Sequence, residues 1–302
     1  MTAARPKTAG SLLHAVPVAA QLLAMASFAS GASVAKSLFP AVGAEGATTL
    51  RLVGGALILL LIVRPWRSGR QPLSPYAILP YGLAMAAMNL LFYMALQTIP
   101  LGIAVALEFT GPLAVAMIAS RRALDLLWVG IAAAGILLLL PIRTGLARVE
   151  PGGAALALAA GACWAVYIAA GKKAGQAAGG AVTCVGMTIA ALAVLPFGIA
   201  RGGIGLVQPE ALLLGAVVAI LSGALPFRLE MMALRRLPVS TYGTLASCEP
   251  AIGAIAGLLL LHEGLSTPQI LGIGLIMVAA AGATRTGTAG APGRETGRAE
   301  VK

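Results

Sequence analysis

Ten apolar segments, each long enough to cross a lipid bilayer, dominate this sequence of 302 residues. An α-helix needs roughly 17 to 25 predominantly apolar residues to span the hydrocarbon core. The segments that meet this requirement are 15–36, 45–63, 76–97, 101–119, 125–142, 152–171, 180–200, 209–233, 239–261 and 268–285. The pattern predicts an all-α integral membrane protein with ten transmembrane helices. Because nine spans follow the first one, we expect the first to be a retained helix and not a cleaved leader.

The composition supports a membrane protein and argues against several other classes. Hydrophobic residues make up 59% of the chain and charged residues only 10%, whereas a soluble domain carries about a quarter charged residues. The net charge of +11 would suggest nucleic acid binding in a soluble chain, but here it predicts membrane orientation, and we expect no nucleic acid partner. The three cysteines, Cys163, Cys184 and Cys248, lie apart in apolar runs. We therefore expect no disulfide framework, no metal site and no cofactor.

The positions of the basic residues predict the orientation. Of the 21 lysines and arginines, 15 lie in segments that ten spans would place on one side, and three, Arg143, Arg148 and Arg201, lie on the other. The remaining three, Lys36, Arg51 and Arg228, lie within or at the ends of spans. Basic residues are enriched in cytoplasmic segments, so both termini are expected in the cytoplasm. The N-terminal segment 1–14 and the tail 286–302 would then be cytoplasmic. The tail is rich in Gly, Thr and Arg without periodicity and is expected to be disordered.

An internal repeat divides the chain into two halves. Residues 94–100 read MALQTIP and residues 232–238 read MALRRLP, and the same separation of 138 aligns Pro112 with Pro250. Segments 15–142 and 152–285 would each contain five helices. Because five is odd, the second unit must be inverted in the membrane. The basic residues agree with this inversion, because positions that match between the two units carry basic residues in one unit and lack them in the other. Inverted repeats are typical of secondary transporters, whose site lies near the midplane between the halves.

No ATP-binding loop accompanies these helices. The string AAGKKAG lacks the first glycine and the hydroxyl residue of a G-x-x-x-x-G-K-[ST] motif. A gradient of ions or substrate is therefore the expected driving force.

Several strings resemble the EamA-type family of drug/metabolite transporters. They are ASGASVAKSLFPAVGAEGATTLRL, PLGIAVALEFTGPLAVA, ALAAGACWAVYIAAGKKAG, LEMMALRRLP and TLASCEPAI. The resemblance implies ten helices in two inverted repeats in the bacterial inner membrane. It also implies export of small neutral amino acids, with threonine and homoserine expected, in exchange for protons. One departure is LHEGLS at 261–266, where the family more often has a glycine before the glutamate; we expect this loop outside the site.

Charged residues inside the spans are the main site candidates, because each costs several kcal/mol (roughly 2.5 to 3.5) in hydrocarbon. Glu108 could bind a proton or an ammonium group, or it could be held by a basic residue that locks two helices. Pro112 follows one helical turn later and frees a backbone carbonyl near it. Glu249 would flank the pseudo-two-fold axis with Glu108, or only hydrogen-bond between helices. Arg51 and Lys36 could bind a carboxylate, or their charges could reach the membrane surface.

Polar residues near these charges complete the candidate set. Asn89 and Tyr93 offer neutral hydrogen-bonding groups in the third span, or they pack as polar contacts between helices. Arg228 and Glu230 lie near the inner end of the eighth span as a candidate gate, or they are simply solvated there. Together the set supplies both charge signs that a zwitterionic amino acid needs.

Other functions fit the sequence less well. A pump for cationic drugs is the main alternative, but it would need an aromatic cage, and aromatic residues make up only 5% of the chain. An aspartyl protease needs two aspartates and the chain has one, Asp125; a serine hydrolase would need a G-x-S-x-G motif, which does not occur. A channel would more naturally have rings of charge. Gly253 and Gly257 form a G-x-x-x-G motif that could support a homodimer or pack within the chain.

Overall fold

The computed structural model describes residues 8–65, 74–119, 123–139, 149–178, 181–234, 236–237 and 239–288. Within these residues the secondary structure is helical, without strands. The helices are α1 (Thr8–Val63), α2 (Pro75–Ala95), α3 (Leu101–Glu108), α4 (Thr110–Ala119), α5 (Ala123–Leu139), α6 (Pro151–Ala178), α7 (Ala181–Gly202), α8 (Pro209–Ala219), α9 (Leu225–Leu234), α10 (Val239–Ala246), α11 (Glu249–Leu261) and α12 (Thr267–Thr288). A 3₁₀ turn, Gly203–Val207, precedes α8, and a π-helical segment, Ile220–Ala224, joins α8 to α9.

The helices have the character of a multi-pass membrane protein. Within the described residues, six helices have the length and apolar composition needed to cross a membrane. Shorter apolar helices cover Leu101–Val115, Leu126–Leu139 and Thr267–Ala283. Large apolar side chains such as Leu61, Leu213 and Leu259 are more than half exposed, as expected of surfaces that face lipid. The predicted all-α fold is thereby confirmed for the described residues, and its apolar helices agree with a multi-pass membrane protein.

Helix α1 contains two of the predicted spans, 15–36 and 45–63, without the expected loop between them. Helical backbone continues to residue 42, and only Gly43, with φ 71° and ψ 174°, leaves the helical conformation. A straight helix would separate Phe28 from Arg51 by about 35 Å. The Arg51 guanidinium nevertheless lies 5.3 Å from the Phe28 ring. The two halves of α1, residues 8–42 and 44–63, therefore fold back against each other at Gly43.

Two other predicted spans are each divided into two helices by a proline. In span 101–119, α3 ends at Glu108 and α4 begins at Thr110, because Pro112 has no N–H for the Glu108 carbonyl. In span 239–261, α10 ends at Ala246 and α11 begins at Glu249, next to Pro250.

The two halves of the chain pack against each other along most of their length. Helix α2 contacts α6 and α7, α3 contacts α11, and α5 contacts α12. Small residues allow these approaches: a Cβ added to Gly102 of α3 would lie 2.6 Å from Ala254 Cα, and one added to Gly135 of α5 would lie 2.8 Å from the Gly272 oxygen.

The G-x-x-x-G motif of α11 also packs within the chain. A Cβ added to Gly253 would lie 3.1 Å from Val105 Cγ2, and one added to Gly257 would lie 3.5 Å from Leu101 Cβ. Helix α3 thus occupies the face that the sequence analysis considered for a homodimer.

At both ends of the described chain, helix extends beyond the predicted first and last spans. Helix α1 begins at Thr8, inside segment 1–14, and α12 continues to Thr288, past the start of the expected disordered tail. Residues 1–7 and 289–302 lie outside the described residues. The three cysteines are free, and among the described residues no three metal-binding side chains cluster.

Candidate functional site

A cavity of about 640 Å³ lies between the two halves of the chain. Its walls are formed by both halves of α1, by α2, α3 and α4 from the first half of the chain, and by α6, α7, the π-helical segment, α9, α10, α11 and α12 from the second half. A site between the halves is where an inverted-repeat transporter is expected to bind its substrate.

The cavity lies nearer one end of the bundle. Thr183 and Tyr242 line it close to the beginnings of α7 and α10. From Glu249, which also lines the cavity, α11 runs about 18 Å towards the opposite end. Tightly packed residues fill that opposite end, including Leu38, Leu96 and Ile103, each at most 2% exposed.

Arg51 is the one described basic side chain that lines the cavity. It is 6% exposed, and its guanidinium lies 5.3 Å from the centre of the Phe28 ring and 5.5 Å from that of Tyr93. Arg51 Nε donates to Ser222 Oγ at 2.9 Å, and Nη2 donates to the Ser222 carbonyl at 2.8 Å. Nη1 has no hydrogen-bond partner within the described chain. Arg51 therefore has a donor left for an anionic group in the cavity.

The π-helical segment explains why Ser222 binds Arg51. The Leu225 N–H bonds to the Ile220 carbonyl, five residues earlier, and Pro226 has no N–H for the Ser222 carbonyl. The carbonyls of Leu221 and Ser222 thus lack their usual helical donors. Side chains of α1 replace them, since Ser27 Oγ donates to the Leu221 oxygen at 2.6 Å and Arg51 to the Ser222 oxygen. Local π-helical turns are frequent at functional sites.

Glu108 lines the same cavity and is 5% exposed. It is the last residue of α3, at the break before α4. Gly161 of α6 packs against this break, where an added Cβ would lie 2.6 Å from the Glu108 carbonyl oxygen. Within the described chain no lysine or arginine nitrogen lies within 4.0 Å of the Glu108 carboxylate. The helix-locking ion pair considered as an alternative is therefore not seen there.

Two further carboxylates line the cavity. Glu249 begins α11, and Glu230 lies on α9, where Tyr242 donates a hydrogen bond to its Oε1 at 3.2 Å. Arg228, the other half of the candidate gate, is exposed and does not line the cavity. Of the two residues of the candidate gate, only Glu230 therefore lines the cavity.

The remaining candidates lie at different depths. Asn89 lines the cavity and donates from Nδ2 to the Met85 carbonyl of its own helix at 2.7 Å. Tyr93 is completely buried beneath Arg51 and does not line the cavity. Lys36 does not line the cavity, and its Nζ pairs with Glu263 Oε1 at 2.5 Å. None of residues 261–266 lines the cavity, as expected for this loop, although its Glu263 pairs with the site candidate Lys36.

Several residues that line the cavity were not predicted from the sequence. Gln21 and Ser222 were visible as polar residues inside apolar spans, and Pro226 was visible as a proline inside a span. Aromatic side chains gave no such signal, although they are rare in the chain. Five of them line the cavity, namely Phe28, Phe109, Trp164, Tyr167 and Tyr242.

Comparison with known proteins identifies the relatives of this chain. The profile of the EamA-like transporter family matches residues 151–285. The threonine/homoserine exporter RhtA of Salmonella typhimurium is 51% identical over 271 residues, which cover 90% of this chain and 92% of that protein. RhtA of Escherichia coli K12 is 50% identical over the same length. A crystal structure with 21% sequence identity has the same fold, with a TM-score of 0.60 over 91% of this chain and 99% of the other.

Proposed function

The chain belongs to the EamA-like transporter family, and we propose that it exports threonine and homoserine across the bacterial inner membrane in exchange for protons. As a member of a transporter family it is a carrier and not an enzyme. The observation that carries the proposal is the cavity in which buried Arg51 and Glu108 both lack an ion-pair partner within the described chain.

Arg51 and Glu108 supply the two charges that a zwitterion requires. Arg51 has a free donor for the substrate carboxylate, and its other donors are fixed on Ser222. Glu108 provides an anion for the substrate ammonium. Both groups are held by helices whose backbones pack closely, so little reorganisation is needed when substrate binds.

Ten spans in two inverted repeats are the architecture that we propose for this carrier. The separation of 138 residues supports it, because this offset maps the helix break at Phe109 onto Ser247, inside the break between α10 and α11. The contact between α5 and α12 is further support, because the same offset maps α5 onto the region of α12.

Alternating access would then run between the two ends of the bundle. The cavity lies nearer the beginning of α10, and Arg235 and Arg236, which precede this helix in the sequence, favour the cytoplasm. Both termini lie on this same side in the proposed topology. The Lys36–Glu263 ion pair lies at the opposite end, and we assign it the role of an external gate. In this scheme the structure corresponds to a state that faces the cytoplasm.

Glu108 is the residue that we propose for proton coupling. A carboxyl group removed from water favours its neutral form unless a cation is near, so proton and ammonium compete for one site. Proton binding from outside would release the amino acid, and proton loss to the cytoplasm would restore the anion. Glu249 and Glu230 lie along the same cavity and would assist proton transfer to the cytoplasmic end.

Export of cationic aromatic compounds is the second candidate function. The five aromatic side chains in the cavity favour it, since cations bind to aromatic faces. Arg51 argues against it, because a permanently charged guanidinium in the cavity repels cations.

Everted membrane vesicles would test these functions. Vesicles containing the protein should accumulate labelled threonine and homoserine when their interior is made acidic, and a protonophore should abolish this uptake. Vesicles without the protein provide the background. Accumulation of a lipophilic cationic dye without amino acid uptake would instead establish the second candidate.

A further inference from the structure

Gln21 is a buried polar residue on α1 to which the export scheme assigns no role. It is 1% exposed, and its Oε1 has no hydrogen-bond partner within the described part of the chain. Gln21 lines the cavity together with Ala24, Met25 and Phe28, which are three, four and seven residues further along α1 and therefore share one helix face. A buried amide oxygen without a partner is destabilising, so a group in the cavity is expected to bind it.

The cavity contains one hydrogen-bond acceptor and one donor that have no partner within the described residues. Among the buried polar atoms without a partner in the described residues, two belong to cavity-lining side chains: Gln21 Oε1 accepts hydrogen bonds and Arg51 Nη1 donates them. A matching ligand has an anionic group for Arg51 and a donor for Gln21. The ammonium of an amino acid is better placed at the Glu108 carboxylate, because charge-assisted hydrogen bonds are the stronger ones. A neutral hydroxyl group is therefore the donor that suits Gln21.

The position of Gln21 along α1 agrees with the assignment of the substrate carboxylate to Arg51 and of a hydroxyl group to Gln21. Arg51 stacks on Phe28, and Gln21 lies seven residues earlier, about 10 Å along the helix. Gln21 also lies beside Tyr242, whose hydroxyl bonds to Glu230. A substrate whose carboxylate binds Arg51 would extend its side chain into the part of the cavity that Gln21 faces.

We propose that Gln21 accepts a hydrogen bond from the side-chain hydroxyl of the substrate, directly or through one bridging water. This inference rests on the proposed function and deepens it, because it makes Gln21 the residue that selects hydroxylated amino acids. Threonine and homoserine carry hydroxyl groups on different carbons, and 2-aminobutyrate is the common analogue of both without the hydroxyl. A site that hydrogen-bonds a substrate hydroxyl discriminates against the analogue that lacks it.

The test compares these three compounds in everted vesicles. The unmodified protein should transport threonine and homoserine more efficiently than 2-aminobutyrate. Gln21→Met keeps the length of the side chain but removes the acceptor. Transport efficiency for threonine and homoserine should fall about fivefold, which corresponds to one neutral hydrogen bond, while that for 2-aminobutyrate stays the same. Gln21→Leu provides a second apolar variant if the first does not insert.

Unchanged transport of 2-aminobutyrate shows that the variant is folded. Gln97→Met makes the same exchange at an exposed glutamine and should leave all three compounds unaffected. An equal loss for all three compounds in both Gln21 variants would overturn the inference, since it indicates a structural or ammonium-binding role. Equal transport of the three compounds by the unmodified protein would also overturn it, while export itself would stand. Absence of any amino acid transport would contradict the proposed function instead.

Discussion

Lys36 and Glu263 form an ion pair across 227 residues of sequence, with Nζ and Oε1 2.5 Å apart. The second carboxylate oxygen, Oε2, accepts a hydrogen bond from the Leu101 N–H at 2.7 Å, at the start of α3. Glu263 therefore connects α1 and α3, from the first half of the chain, to the loop between α11 and α12. Alternating access would have to break this connection, because the halves must separate at that end for the substrate to leave.

The external gate predicts that loss of the ion pair favours the outward-facing state. Lys36→Met removes the charge, and an ion pair of this partial exposure contributes about 1 kcal/mol. We expect Ala35→Cys, at a completely buried position beside the pair, to react about fivefold faster with an impermeant thiol reagent in intact cells when Lys36→Met is also present. The comparison uses a background without the native cysteines. An unchanged rate of labelling would argue against the gate.

The carboxylate subsite predicts that lysine cannot replace Arg51. Arg51→Lys keeps the positive charge but loses the planar fork that bonds Ser222 and that, in the proposed scheme, also bonds the substrate. Hydrogen bonds to a charged group contribute about 1.5 to 3 kcal/mol, so the KM for threonine should rise at least about tenfold. Arg236→Lys, at an exposed arginine, is the matched control and should leave KM unchanged. A normal KM in the Arg51 variant would exclude Arg51 from the substrate site.

Proton coupling predicts distinct effects of two Glu108 variants. Glu108→Gln keeps the shape but cannot ionise, so the protein should insert normally and lose proton-driven export. Glu108→Asp should retain part of the activity with a shifted pH optimum. Protein level and pH-dependent uptake in everted vesicles measure both effects. If Glu108 had only a structural role, the Gln variant would be poorly expressed and its remaining transport would keep the normal pH profile.

The conformation of His262 predicts a stabilising substitution. His262 ends α11 with φ 55°, in the left-handed region, where a residue with a side chain costs about 1 to 2 kcal/mol relative to glycine. His262→Gly should therefore raise the thermal unfolding midpoint in detergent by about 2 °C or more. Gly43→Ala is the opposite control, because Gly43 has φ 71° and an added Cβ would lie 2.8 Å from Arg201 Cγ. It should lower the midpoint, and a rise in that variant would contradict the argument.

The proposed orientation predicts which exposed positions can be labelled from outside. Gln97 and Tyr76 are both exposed and lie at opposite ends of α2. In intact cells, a cysteine at Gln97 should react with an impermeant thiol reagent and one at Tyr76 should not. Both should react after the membrane is permeabilised. Labelling of the Tyr76 position from outside would reverse or refute the topology.

The sequence by itself determined the membrane fold and identified the buried charges. Each apolar run had to be a helix, and Arg51 and Glu108 were conspicuous because a charge in hydrocarbon is costly wherever its helix lies. Pro112 predicted a free backbone carbonyl near Glu108 for a local reason, since a proline lacks the N–H that the carbonyl four residues earlier needs. None of these inferences required knowledge of which helices are neighbours.

Only the tertiary structure decided which partners these residues have. Lys36 pairs with Glu263, and Arg51 binds Ser222, because helices from opposite halves of the chain approach each other. Sequence patterns along one helix do not specify that approach, so Lys36 was expected in the site and Gln21 was overlooked. The aromatic lining of the cavity could not be predicted for the same reason, because a few rings dispersed along the sequence converge only when the helices pack.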